Sequence, residues 1–132
     1  VLVEFGVSEP ETSILKSVHE LFNKGYIPII AHAERYTNLS FKQVAEFRKN
    51  GVLIQVNATD MRRIAFCEKL RLKKLLSKKL VDFVSTDAHD LYNRPPCMSV
   101  FYKYVSAKYG EDYANEIFCL NAKELFGSIS EE

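Results

Sequence analysis

Val81-Asp82-Phe83-Val84-Ser85-Thr86-Asp87-Ala88-His89-Asp90 is the stretch on which the reading of this chain turns. A mostly apolar run predicts a buried strand, and the polar run behind it sets Asp87 and His89 two residues apart just past the strand's end. Residues at i and i+2 of an extended segment share a side, so a carboxylate and an imidazole would face one point. The same plan recurs upstream. Ile27-Pro28-Ile29-Ile30 leads into Ala31-His32-Ala33-Glu34-Arg35-Tyr36, and Val1-Leu2-Val3 runs into Glu4. Three strand ends carrying metal-type ligands point to a hydrolytic metal site, since oxygen and nitrogen donors together suit zinc, manganese and iron.

Between these strand ends the pattern is helical. Val1 to Phe5 reads as a strand, and Ser8-Glu9-Pro10-Glu11 as a capping box with Pro near a helix start. Ile14, Leu15, Val18, Leu21 and Phe22 recur at helical spacing, and Gly25 stands where a C-terminal cap belongs. A strand over Ile27 to Ala31, a helix opened by Ser40 and closed near Gly51, and a strand over Val52 to Val56 follow. A long basic helix is expected from roughly Met61 to Lys79, then a strand over Val81 to Ser85, then helices from about Pro96 onward.

Apolar strands separated by helices predict an α/β fold with a parallel sheet and right-handed crossovers. Glu4, His32, Asn57 and Asp87 would then all sit at C-terminal strand ends, the edge where such folds carry function. Four βα units are about half of a barrel whose usual length is about 250 residues. The expectation is therefore one partial barrel domain over residues 1–132, with further units preceding Val1.

Composition fits that picture and excludes others. With 47% hydrophobic and 27% charged residues, the 132-residue chain can build a core. A net charge of +1 gives no global pull toward nucleic acid or a membrane, and no apolar run approaches membrane-helix length. Cys67, Cys97 and Cys119 are scattered, without a CxxC, and are expected to be reduced and mostly buried in a cytoplasmic protein.

The remaining charges refine the chemistry. Glu4, as a charge ending a buried strand, would need a cation or a hydrogen-bonded partner. His19 falls off the apolar stripe of its helix and is expected in solvent. Arg35 lies three residues after His32 and Arg94 five after His89. Paired guanidinium groups beside metal ligands suggest a phosphate ester substrate. The helix with Arg62, Arg63, Lys69, Arg71, Lys73, Lys74, Lys78 and Lys79 against Glu68 reads as a solvated outer face; an acidic partner is a secondary reading.

Taken in order, Leu2-Val3-Glu4-Phe5, the segment Gly25 to Tyr36, Gly51 to Asn57 and Ser85 to Asp90 with Arg94-Pro95-Pro96 resemble a known family. They look like the capsule-type bacterial protein-tyrosine phosphatases (the CpsB/CapC/YwqE group) of the polymerase and histidinol phosphatase (PHP) superfamily. The tail Ile117 to Leu125 joins the resemblance. It implies a distorted (β/α)7 TIM-like barrel, of which this chain would be the C-terminal part, with a cluster of three divalent metals. Manganese is the leading ion, with magnesium, iron and zinc as alternatives. Glu4, His32, Asp87 and His89 match the family's metal ligands, and Arg35 and Arg94 its phosphate-binding arginines. Asp87 and His89 would also orient the nucleophile or pass protons.

The implied partner is a phosphotyrosine protein, a bacterial tyrosine kinase tail controlling capsule or exopolysaccharide synthesis. No nucleic acid and no membrane insertion are expected, and homo-oligomerisation stays open. The family's N-terminal His-x-His, a following Asp, another His and an earlier Glu find no counterpart. Ala33 replaces the usual Pro, and Asp90 stands where Asn is common. Two other readings remain: a phosphatase of the same superfamily acting on a small phosphomonoester such as histidinol phosphate, and a catalytically incomplete fragment or binding remnant.

Overall fold

Three short parallel strands organise the first half of the chain. In the computed structural model, which describes residues 1–92 and 95–127, β1 (Leu2–Val3) pairs with β2 (Ile29–Ile30) in the register Leu2 to Ile29 and Val3 to Ile30. On its other side β2 pairs with β3 (Leu53–Asn57), Ile29 with Leu53 and Ile30 with Ile54. Parallel neighbours need long crossovers, and α1 (Glu11–Asn23) and α2 (Phe41–Lys49) supply them. A one-turn 3-10 segment, Ala33–Arg35, follows β2.

The described residues divide into two compact units, Val1–Val56 with Ala65–Val81 and Asn57–Ile64 with the described part of Asp82–Glu132. In the first, Ile14 and Val18 of α1, Val44 and Phe47 of α2, and Leu72, Leu75 and Leu76 of α3 (Phe66–Ser77) are buried, as are Ile30, Ile54 and Val56 of the strands. The second holds β4 (Phe83–Ser85), α4 (Met98–Tyr109) and α5 (Glu111–Asn115), which runs through a π-helical turn (Glu116–Leu120) into α6 (Asn121–Phe126). Phe101, Val105, Tyr113, Ala114 and Ile117 are among its buried side chains, with Phe118 edge-on to Tyr102 at 5.2 Å.

The α/β class with parallel strands is as the pattern predicts, while several boundaries move. β1 and β2 are two residues each because only the last two residues of each apolar run meet a neighbour in register. The capping box before α1 does not form. Pro10 is the N-cap and offers no side-chain bond, while the Ser13 hydroxyl donates to Glu9 instead. Ser40 does cap α2, accepting from the Gln43 amide at 3.1 Å.

The basic helix starts at Phe66 rather than near Met61. Asp60 claims the preceding segment by accepting from the Arg62 amide and side chain, and such local side-chain bonds compete with helix formation. The thiols correct another expectation: Cys67 and Cys119 are exposed and Cys97 is half-buried, all three free. His19 is exposed on α1, as expected. Among the described residues no helix is long and apolar enough to cross a membrane.

Candidate metal centre

His32 follows β2 directly, and its backbone is left-handed, with φ 35° and ψ 52°. That conformation is costly for a residue with a Cβ and persists only where neighbours over-determine it. Here they do. The His32 amide donates to Gln55 Oε1 at 2.7 Å, and the His32 carbonyl accepts from the Arg35 amide at 3.0 Å. The imidazole is buried, and its Nε2 lies 3.0 Å from Glu4 Oε1. Its Nδ1 is buried with no hydrogen-bond partner.

Glu4 itself is not buried. Its side chain is 73% exposed, and Leu2 before it is 63% exposed, so the expectation of a charge closing a buried strand does not hold. The carboxylate meets the imidazole from the solvent side. Tyr36 supports both: its hydroxyl accepts from the Phe5 amide at 2.9 Å, and its ring lies 5.4 Å from the His32 ring. Burial raises the Tyr36 phenol above its ordinary pKa, and the Glu4 and Glu34 charges add to that against the opposing Phe5 bond and Arg35. Tyr36 thus stays protonated and neutral.

The second unit repeats the device. Asp87, two residues past β4, is also left-handed at φ 45°. Its Oδ2 accepts from Asn57 Nδ2 at 2.9 Å, and Asn57 is buried at the end of β3. His89 is brought to Asp87 by a turn rather than by an extended i, i+2 alternation. Its Nδ1 lies 2.7 Å from the Asp87 carbonyl and 3.9 Å from Asp87 Oδ1. A carbonyl oxygen only accepts, so Nδ1 carries the proton in this bond, and a neutral ring then keeps Nε2 unprotonated. Ligating histidines are held in just this way, one nitrogen donating to an oxygen and the other turned to the metal.

These donors fit a divalent cation. Glu4 Oε1 and His32 Nε2, 3.0 Å apart, offer an oxygen and a nitrogen donor, a set that suits borderline divalent cations. Among the described residues they come as pairs; no group of three or more His, Cys, Asp or Glu gathers on its own. Arg35 is half-buried in the 3-10 segment beside His32, and Arg94 lies outside the described residues. Gln55, Tyr36, Glu34 and Arg71 also shape this region, through the bonds and ring contacts around His32 and Ala33. Glu34 and Tyr36 stand in the run that follows His32, and Gln55 is signalled as a glutamine inside the apolar run Val52–Val56.

The chain is an α/β protein with imidazole and carboxylate groups at its strand ends, and comparison with known proteins narrows that class. The chain belongs to the capsular polysaccharide synthesis CpsB/CapC family, whose profile matches residues 1–127. It is 31% identical to the tyrosine-protein phosphatase CpsB of Streptococcus agalactiae serotype III (strain NEM316), over 94% of this chain and 54% of that protein. CpsB of Streptococcus pneumoniae matches with the same identity and coverage. The chain thus spans about half the length of the curated relatives it matches. Its fold is shared with crystal structures of YwqE from Bacillus subtilis and CpsB from S. pneumoniae, described as unique metal-dependent tyrosine phosphatases. That match has a TM-score of 0.75 at 23% identity and covers 86% of this chain and 47% of the other.

Proposed function

We propose that this chain supplies one part of a metal-dependent protein-tyrosine phosphatase, within a partial PHP-type barrel domain. The observation that carries the reading is the repeated strand-end device: His32 and Asp87 each leave a strand in left-handed backbone and each meets an acid–imidazole partner. Membership of the CpsB/CapC family supports it. Glu4, His32, Asp87 and His89 would hold divalent ions, manganese first and as a three-metal cluster in the complete domain. The ions would supply Lewis acidity at a phosphoryl oxygen.

The chain's own groups do the rest. Asn57 orients the Asp87 carboxylate, and the Asp87 carbonyl fixes the His89 tautomer, so this pair can align a nucleophile and move its proton. Arg35 and Arg94 would grip phosphoryl oxygens through paired N–H groups and absorb developing charge. The substrate is a phosphotyrosine protein, a bacterial tyrosine kinase tail, in the cytoplasm. Full-length protein should hydrolyse a phosphotyrosine peptide only with divalent metal, and Arg35→Ala should lower kcat/KM by about a hundredfold. Unchanged turnover in that variant rejects the assigned site, and preference for a small phosphomonoester rejects the kinase-tail substrate.

A further inference from the structure

One arginine of the basic helix does not behave as part of a solvated face. Arg71 alone among the basic residues of α3 is buried, at 7% exposure. Its Nε donates to the Ala33 carbonyl at 3.0 Å, and its guanidinium lies 4.9 Å from the centre of the Phe41 ring. Glu34, buried in the same 3-10 segment, acts on it with the opposite charge. A buried guanidinium is costly to desolvate, and here one of its terminal nitrogens, Nη2, has no hydrogen-bond partner. An aliphatic side chain of similar volume would fill the space without that cost. What such a side chain cannot do is hold the peptide between Ala33 and Glu34.

That peptide matters because of what precedes it. Gln55 takes the His32 amide, the Arg35 amide takes the His32 carbonyl, and Arg71 takes the next carbonyl along. The amide and carbonyl of His32 and the carbonyl of Ala33 are thus tied. We propose that Arg71 is a positioning residue: through Ala33 and Glu34 it locks the turn at His32, and so aims the imidazole at Glu4. The proposal rests on the metal-site reading above for its functional meaning, but not for its geometry.

The test uses full-length protein with isotopically labelled histidine. Arg71→Lys keeps the charge and the aliphatic stem but loses the fork that reaches Ala33 while facing Glu34. It should fold, move or broaden the His32 ring signals in metal-free protein, and leave those of exposed His19 in place. Manganese affinity, followed by paramagnetic resonance, should fall about tenfold or more, as it does when an outer partner of a ligand is lost. The double variant Glu34→Gln with Arg71→Met removes both buried charges together and should show the same two changes even if the lysine variant folds poorly. His32 signals unmoved in a folded variant, with manganese affinity within about twofold of the parent, overturn the proposal. If the parent protein binds no manganese, the metal-site reading fails, and the His32 signals still decide the role of Arg71.

Discussion

At the scale of single residues, each candidate ligand pair is built from backbone as much as from side chains. Three non-glycine residues among those described have positive φ, and two of them are His32 and Asp87. Asp and His tolerate the left-handed region better than most residues, and each here is the residue that turns a strand end into a ligand-bearing loop. Asp60 shows a different electrostatic effect, away from these residues. Bonds from the Arg62 side chain and amide hold its carboxyl at about 2, against an ordinary 3.8. A depressed carboxylate stabilises the folded state fully above its unfolded pKa and loses that contribution as pH falls toward the folded one. Asp60 should thus titrate near 2 by carboxyl NMR, and Arg62→Ala should bring it back toward 3.8; a midpoint unaffected by the substitution would show that the bond is not its cause.

At the scale of elements, much was legible because periodicity and caps are local. Ile14 and Val18 announced the buried side of α1, and Ser40 announced the start of α2. Gly51 ends that helix at φ +88°, a conformation in which a Cβ is strained even though nothing lies within 4 Å of where it would stand. Gly51→Ala should therefore cost about 1–2 kcal/mol in chemical denaturation, and a neutral result would mean that the turn can relax. Other features were hidden because they depend on partners far along the chain. Charge pattern alone placed Arg71 in solvent, whereas the 3-10 segment that draws it inward lies 38 residues away. Asp87 and His89 come together through a turn and not through an extended i, i+2 alternation, which spacing alone does not reveal.

At the scale of the whole molecule, the ligands divide as the packing does. Glu4 and His32 belong to one compact unit, and Asn57, Asp87 and His89 to the other. The parallel pairing of β1, β2 and β3 was legible because apolar runs alternate with helices that supply the crossovers. Both acid–imidazole pairs are proposed to hold divalent metal. Manganese titration of full-length protein, followed by paramagnetic resonance, tests it most directly in the parent, His32→Ala and His89→Ala. The parent should bind, and each substitution should weaken binding by about tenfold or more. Undiminished manganese affinity in both folded variants would contradict it.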